Sequence, residues 1–167
     1  IIVTGGLGFI GSNLIDLLIS RNYFVLNIDK VSYSSNFYNV KDHKKSKKYK
    51  FIKCDIRSKN ITKLLYKYKP SAIFNLAAET HVDRSIDDPK NFIESNIIGV
   101  YNLLESFKKY SRKYKSKLIH ISTDEVYGDI LNGRSSEAYP YKPSSPYAAS
   151  KAASDHLVSS YIRTYNL

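Results

Sequence analysis

The amino-acid sequence predicts an α/β domain built on a doubly wound parallel sheet. Five short, mostly apolar segments have the unbroken hydrophobic character of strands that are buried on both faces. Segments with an apolar stripe, which is typical of amphipathic helices, lie between them. Strands that alternate with helices pair in parallel through right-handed crossovers, so a single sheet is expected. The predicted strands are residues 1–4, 24–29, 51–54, 72–77 and 118–122.

Periodicity and end signals predict the helices. Residues 61, 64, 65 and 68 are apolar at the i, i+3, i+4, i+7 spacing of one buried helix face. One helix is predicted from Phe9 onward, and another from Pro146, because Ser145 is a good N-cap and proline suits the first helical position. Residues 91–110 are apolar on more than one side, so this helix is expected to contact both the sheet and a second subunit. Residues 30–49 are expected to form a long polar connection.

The composition indicates one globular domain. A chain of 167 residues with 43% hydrophobic residues can bury one sizeable core. No apolar run reaches the ~18 residues of a membrane span, so no membrane association is expected. The single cysteine, Cys54, cannot form an internal disulfide, which favours a cytoplasmic location. The sequence contains no methionine and ends without a stop signal, so we expect an N-terminal fragment of a longer protein.

The net charge of +11 raises the question of nucleic-acid binding. Lysines are densest in residues 41–53. Lysine outnumbers arginine, however, and it lacks the planar fork with which arginine recognises bases and phosphates. We therefore interpret the lysines as a solvated surface and expect no nucleic-acid partner.

The first predicted turn is rich in glycine. Gly6, Gly8 and Gly11 match G-x-G-x-x-G, and Gly5, Gly8 and Gly11 match the variant with two intervening residues each time. The turn follows a strand and opens a helix, which is the context that dinucleotide binding requires. Glycines allow the backbone to approach a pyrophosphate, and the helix N-terminus offers unpaired N–H groups. The alternative is a simple glycine turn.

Asp29 ends the second predicted strand, 18 residues after Gly11. A carboxylate at this position can accept hydrogen bonds from an adenosine ribose and repels a 2′-phosphate. The sequence therefore predicts NAD in preference to NADP. The adjacent Lys30 weakens this preference, because a cation there could tolerate the phosphate.

Tyr147 and Lys151 lie four residues apart in the helix that starts at Pro146, so they share one face. A free phenol has a pKa of about 10, which is too high for a base at neutral pH. A neighbouring ammonium, together with a nicotinamide cation, would favour the phenolate. Tyr147 could then remove a proton from a hydroxyl group. The alternative is a surface tyrosine beside a solvated lysine.

Asp124 and Glu125 stand side by side directly after the last predicted strand. Adjacent carboxylates repel each other, and this repulsion raises the pKa of one of them. Such a pair can supply an acid and a base together. The alternative is an acidic pair that begins a helix and accepts hydrogen bonds from its N–H groups.

Several segments together resemble the extended short-chain dehydrogenase/reductase family and, within it, the dTDP-glucose 4,6-dehydratases, which have a Rossmann fold. The resemblance covers nearly the whole chain, and its most specific segment is STDEVYGD (122–129). Epimerases of the family usually carry small uncharged residues in place of Asp124 and Glu125. The other matching segments are TGGLGFIGSN (4–13), residues 29–30, residues 55–56, LAAETHVDRSI (76–86) and SPYAASKAASD (145–155).

The resemblance implies NAD-dependent conversion of dTDP-glucose to dTDP-4-keto-6-deoxyglucose, by oxidation at C4, loss of water across C5 and C6, and hydride return to C6. It implies that Tyr147 is the base for oxidation and that Lys151 holds the phenolate and the cofactor ribose. Glu125 would take the C5 proton and Asp124 would protonate the C6 hydroxyl. Thr123 would orient the C4 oxygen, and Thr80, where the family usually has serine, would also contact the substrate.

The resemblance also implies a set of NAD contacts, and no metal. It further implies a homodimer that packs through the Tyr147 helix. The base of the nucleotide sugar stays open, as do two alternatives: another epimerase, dehydratase or decarboxylase of the family, and a non-catalytic dinucleotide-binding protein. The expected NAD contacts are Gly5, Gly8, Phe9, Ile10, Gly11, Asp29, Lys30, Val31, Ser32, Asp55, Ile56, Leu76, Ala77, Ala78, Glu79, Thr80, Ser95, Tyr147 and Lys151.

Overall fold

Five parallel strands form one sheet in the computed structural model, which describes residues 1–167. The strand order is β3–β2–β1–β4–β5, so the connection reverses direction at the central strand β1. This confirms the predicted α/β class and its doubly wound parallel sheet. The strands are β1 (Ile2–Thr4), β2 (Val25–Asp29), β3 (Tyr49–Lys53), β4 (Ala72–Asn75) and β5 (Lys117–His120).

Six α-helices accompany the sheet, and none of them is long and apolar enough to cross a membrane. The helix predicted over residues 91–110 consists of three parts, because a π-helical turn at Ile93–Ile98 separates α4 from α5. The short α3 was not predicted. The helices are α1 (Phe9–Ser20), α2 (Asn60–Tyr68), α3 (Val82–Asp87), α4 (Lys90–Phe92), α5 (Gly99–Ser111) and α6 (Pro146–Tyr165).

The central strands β1 and β2 are buried on both faces, as the apolar pattern predicted, whereas the edge strands β3 and β5 are only partly buried. On β1, Ile2 joins a cluster with residues of α2 and α5, whereas its neighbour Val3 joins a cluster with residues of α1. Successive strand residues point to opposite faces, so one short strand contributes to both cores. A third cluster joins α5 to α6 through Val100, Leu104 and Tyr161.

The connection between β2 and β3 is more ordered than its polar sequence predicted. A 3₁₀ helix at Phe37–His43 begins at Asn36, whose side chain accepts a hydrogen bond from Tyr38 N–H. Its Val40 is buried beside α1. The Asn39 amide donates to the Leu7 carbonyl at 3.0 Å, so this connection supports the glycine-rich turn.

A buried chain of hydrogen bonds links the ends of three strands. Ala77 N–H donates to Thr4 Oγ1, whose hydroxyl donates to Asn75 Oδ1 at 2.6 Å. Asn75 Nδ2 then donates to His120 Nδ1 at 3.0 Å. Because Nδ1 must accept this bond, the imidazole is neutral and carries its proton on Nε2.

The same chain continues into α6. His120 Nε2 lies 3.2 Å from Ser154 Oγ, and the Ser154 hydroxyl donates to the Lys151 carbonyl at 2.8 Å. Burial and the nearby Lys151 ammonium lower the pKa of His120 to about 4, although Asp155 opposes the shift. Protonation of His120 would place an N–H group on Nδ1, directly opposite the N–H of the Asn75 amide. The hydrogen bond between the two side chains would then be lost.

We expect His120 to make the unfolding free energy depend on pH. The pKa of His120 is lower in the folded chain, about 4, than its ordinary value of 6.5. The unfolded state therefore binds the proton first, and stability that is present above pH 6.5 is lost as the pH falls toward 4. The contribution is about 3 kcal/mol. Urea unfolding at pH 4.5, 5.5 and 7 measures it.

The matched variant is His120→Gln, because glutamine keeps one acceptor and one donor but does not titrate in this range. We expect the pH dependence of its unfolding free energy to be flatter by about this amount. The same substitution at the exposed His156 serves as the control. An equal pH dependence in wild type and His120→Gln would contradict the prediction.

Candidate functional site

A cavity of about 470 Å³ lies at the carboxyl ends of the strands. This is the edge at which doubly wound sheets bind their ligands. Of the predicted site residues, Val31, Glu79, Thr123, Asp124 and Glu125 do not line it. Those that do are Gly5, Gly8, Phe9, Ile10, Gly11, Asp29, Lys30, Ser32, Asp55, Ile56, Leu76, Ala77, Ala78, Thr80, Ser95, Tyr147 and Lys151.

The glycine-rich turn forms one wall of the cavity. Gly5 has φ +70°, and a Cβ there would lie 2.8 Å from backbone atoms of Ala77. A Cβ on Gly11 would lie 2.3 Å from the Gly5 carbonyl oxygen. Helix α1 begins after Gly8, without a capping side chain and without an acidic residue in its first turn. Its first N–H groups therefore suit an external anion such as a pyrophosphate.

Asp29 holds the turns around it. Its buried carboxylate accepts hydrogen bonds from Leu7 N–H at 3.0 Å, and from Val31 N–H and Ser35 Oγ at 2.8 Å each. A carboxylate has about four acceptor positions, so one position on Oδ2 remains for a ligand hydroxyl. Val31 has φ +63°, an unusual value for a β-branched residue, and the Asp29 contact stabilises it.

The contacts of Lys30 do not support the expectation that its charge could tolerate the 2′-phosphate of NADP. Its ammonium donates to Glu79 Oε1 at 2.5 Å and to Ser95 Oγ at 2.8 Å. The Glu79 carboxylate is buried, so it neutralises Lys30 at close range. Lys30 is therefore engaged within the protein and not available to a ligand in this arrangement.

Asp55 lies in the turn after β3. Burial would raise the pKa of Asp55, but hydrogen bonds from Arg57 outweigh burial and hold this pKa below its usual value. Arg57 donates from its backbone N–H, from Nε and from Nη2, and it also contacts Glu94. Arg57 was not predicted as part of the site, although its position two residues after Asp55 is typical of such a turn.

Tyr147 is buried near the start of α6. The helix begins as predicted, because Ser145 Oγ accepts a hydrogen bond from Ala148 N–H at 3.0 Å. Tyr147 N–H donates to Ser85 Oγ on α3 at 3.0 Å, and the Tyr147 ring packs edge-on against Phe92. The sequence did not reveal Ser85, because α3 has no clear helical periodicity.

The groups of the chain alone raise the pKa of Tyr147. Burial raises the pKa of Tyr147, a hydrogen bond with Thr123 opposes this, and the charges of Glu125 and Asp124 raise it further. The Lys151 ammonium instead donates to the Ile121 carbonyl at 2.5 Å. The buried phenol is therefore neutral at pH 7, and an additional positive charge is needed to make it a base.

Thr123, Asp124 and Glu125 form the start of a 3₁₀ helix at Asp124–Tyr127. Thr123 Oγ1 accepts from Glu125 N–H and donates to Asp124 Oδ1, both at 3.3 Å. No backbone N–H donates to either carboxylate, and both side chains are exposed. The pair is therefore reachable from solvent, and water screens the repulsion between the two carboxylates.

The cavity is also lined by residues that the sequence did not indicate. Ser35 binds Asp29, and its serine-rich surroundings in residues 32–35 are the only signal that could have identified it. Cys54 has a thiol whose pKa is raised by burial. The remaining unpredicted lining residues are Ile28, Ser34, Ile121 and Ser122.

Comparison with known proteins shows relatives along the whole chain. A sequence model of the GDP-mannose 4,6 dehydratase family matches residues 2–167. The dTDP-glucose 4,6-dehydratase of Haemophilus influenzae is 47% identical over 177 residues, which cover 100% of this chain and 52% of the relative. That of Salmonella typhimurium is 45% identical, with 100% and 51% covered. The chain thus spans about half the length of these relatives.

Solved structures share the fold. DesIV, a dTDP-glucose 4,6-dehydratase from Streptomyces venezuelae solved with NAD, has a TM-score of 0.90 and 38% identity, covering 99% of this chain and 52% of its own. The UDP-glucose 4-epimerase of Thermus thermophilus, solved with NAD, has a TM-score of 0.88 and 35% identity, covering 99% and 51%. The parallel sheet and the glycine-lined cavity agree with this similarity. Because the family model matches nearly every residue, the chain belongs to the GDP-mannose 4,6 dehydratase family.

Proposed function

We propose that the full-length protein is an NAD-dependent nucleotide-sugar 4,6-dehydratase, a hydro-lyase that converts dTDP-glucose to dTDP-4-keto-6-deoxyglucose. One observation carries this proposal. The acidic turn of Asp124 and Glu125 lies close enough to Tyr147 for both charges to raise the pKa of its phenol. A site that combines the base for oxidation, Tyr147, with an acid–base pair, Asp124 and Glu125, can serve both oxidation and elimination.

The cofactor proposal rests on the shape and donors of the cavity. Gly5 and Gly11 allow a close backbone approach within the turn that a Cβ at either position would block, and the start of α1 has no capping side chain. Asp29 retains an acceptor position for a ribose hydroxyl. When bound, NAD⁺ would take a hydride from the sugar C4 and return it to C6. The relatives solved with NAD support the same cofactor.

The residues of this chain would move the protons. Tyr147 would take the proton of the C4 hydroxyl, and Lys151 would stabilise the phenolate that forms. Glu125 would take the C5 proton once C4 is a ketone, because the ketone makes that hydrogen acidic. Asp124 would protonate the departing C6 hydroxyl. Thr123, which bonds to Asp124 and interacts with Tyr147, would orient the C4 oxygen, and Thr80 lines the cavity from the segment between β4 and α3.

The second candidate is an epimerase, because a UDP-glucose 4-epimerase shares the fold. An epimerase needs no acid and base for elimination at C5 and C6, so the exposed pair of Asp124 and Glu125 favours the dehydratase. The dTDP-glucose 4,6-dehydratases of Haemophilus influenzae and Salmonella typhimurium, which are 47% and 45% identical to this chain, support the same choice. A non-catalytic dinucleotide-binding protein would require neither the Tyr147–Lys151 pair nor the Asp124–Glu125 pair.

The remaining proposals concern the domain and its surroundings. Residues 1–167 would form the dinucleotide-binding domain of a cytoplasmic enzyme. A homodimer is supported by exposed apolar side chains beside the α4–α5 turn, among them Ile98 and Tyr101, which are 49% and 48% exposed. On α6, Ala149 and Ala153 are less buried than Ala148 and Ala152, so they offer a narrow outward stripe for helix packing.

We expect the full-length protein to bind NAD at least about tenfold more tightly than NADP, because the Asp29 charge repels a 2′-phosphate and Lys30 is neutralised by Glu79. Isothermal titration with both cofactors measures the preference. Asp29→Asn should narrow it, whereas Asp16→Asn on the exposed side of α1 should leave it unchanged. Equal or tighter NADP binding by the wild type would show that Asp29 does not select the cofactor.

We expect two variants to separate oxidation from elimination in the full-length enzyme. Tyr147→Phe should lower NADH formation from dTDP-glucose by about 10²–10⁴-fold, because the base is lost, with NAD affinity changed little. Glu125→Gln should still form enzyme-bound NADH but should not release the keto sugar. Absorbance at 340 nm and product assay follow the two steps.

The control for these variants is Asp129→Asn, which removes an exposed carboxylate from the same segment. This variant should turn over at nearly the wild-type rate. If Glu125→Gln also released keto sugar at the wild-type rate, Glu125 would have no part in the elimination.

A further inference from the structure

Asp155 is a buried carboxylate that the proposed reaction does not use. It lies on α6, four residues after Lys151 and eight after Tyr147, so the three side chains share one face of the helix. Asp155 is only 9% exposed to solvent. A buried carboxylate is costly unless it is paired and hydrogen-bonded, so its partners indicate what it stabilises.

Two hydroxyl groups donate hydrogen bonds to Asp155 from outside its helix, and an imidazole lies nearby. Ser122 Oγ, directly before Thr123, donates to Oδ2, and Tyr141 OH donates to the same oxygen at 3.1 Å. His120 Nε2 lies 3.6 Å from Oδ1. The carboxylate therefore joins α6 to β5, to the segment that follows β5, and to the loop before α6.

Asp155 is also the acidic side chain that shares the Lys151 face of α6, one helical turn away. Lys151 is 5% exposed, and its ammonium hydrogen-bonds only the Ile121 carbonyl, which carries no net charge. Burial lowers the pKa of Lys151, and Asp155 opposes this shift. The other titratable groups around this pair are neutral: His120 on β5, Tyr141 on the loop, and Tyr147 on α6.

We propose that Asp155 is a positioning residue with two effects. Its charge keeps the buried Lys151 protonated, and its bond to Ser122 fixes the segment with Thr123, Asp124 and Glu125 against the helix with Tyr147 and Lys151. The consequence for catalysis rests on the proposed function. The charge of Lys151 does not, because it depends only on the burial of Lys151 and on the acidic side chain one helical turn away.

The first test measures the charge of Lys151 directly in the full-length protein. Lysine labelled with ¹³C and ¹⁵N is titrated by NMR, and Lys151→Arg assigns the signal. Asp155→Asn keeps the shape but removes the charge, so it should lower the Lys151 pKa by about one unit or more. Tyr141→Phe removes one hydrogen bond from the same carboxylate but keeps the charge, so it should leave this pKa nearly unchanged.

A Lys151 pKa that is the same in Asp155→Asn as in the wild type would overturn the proposal. The wild-type titration gives a second criterion that does not depend on a variant folding. Lys151 should be fully charged at pH 7.5 in the wild type, and a neutral Lys151 at that pH would equally overturn the charge role of Asp155.

The second test is the pH profile of turnover with dTDP-glucose and NAD⁺. In Asp155→Asn, kcat should fall at least about tenfold at pH 8, and the alkaline limb of the profile should move to lower pH by the shift that the Lys151 signal shows. Tyr141→Phe should keep the wild-type profile. If the role of Asp155 were purely structural, Asp155→Asn would lower kcat by the same factor at every pH and would not shift the alkaline limb. That result would overturn the proposal.

The two tests fail separately. A wild-type protein that does not convert dTDP-glucose would contradict the proposed function, and the NMR titration would still decide the role of Asp155. A protein that converts dTDP-glucose while Asp155→Asn leaves both the Lys151 pKa and the profile unchanged would contradict only the inference.

Discussion

The structure depends on one constraint: every polar group buried at the carboxyl ends of the strands must find a hydrogen-bond partner. Parallel strands bring these ends together, so the partners come from neighbouring strands. Thr4, Asn75 and His120 satisfy one another across β1, β4 and β5, and the chain passes into α6 at the Lys151 carbonyl. The bonds that satisfy the sheet therefore also fix the helix that carries the candidate base.

The parts of the site that could be predicted from sequence depend on local spacing. The glycine-rich turn, Asp29 and the Tyr147–Lys151 pair are each set by residues a few positions apart, so their geometry follows from the element that contains them. Strand ends were less accurate. The strand predicted over 72–77 ends at Asn75, because the backbone after it turns away to line the cavity and no longer pairs with β5.

The parts that could not be predicted depend on contacts between distant residues. Lys30 meets Glu79, 49 positions away, which removes a charge that the sequence left available. Asn96, in the π-helical turn, bonds both the backbone N–H and the carbonyl of Glu79, and its amide also donates to Ser150 Oγ on α6. No periodicity marks such a residue, because its role is set by which segments happen to pack beside it. The pKa of Tyr147 is unpredictable for the same reason, since burial decides it.

The direction of that pKa explains how the proposed chemistry would be controlled. Burial and the two acidic neighbours keep Tyr147 a phenol, and Lys151 is turned toward a carbonyl and supported by Asp155. A phenol in this state is a poor base, so the protein by itself does not abstract a proton. Under the proposed function, the missing stabilisation of the phenolate comes from the positive charge of an oxidised nicotinamide placed in the cavity. Formation of the Tyr147 phenolate would then depend on the presence of the oxidised cofactor. A sugar hydroxyl would be deprotonated only when a hydride acceptor is bound beside it.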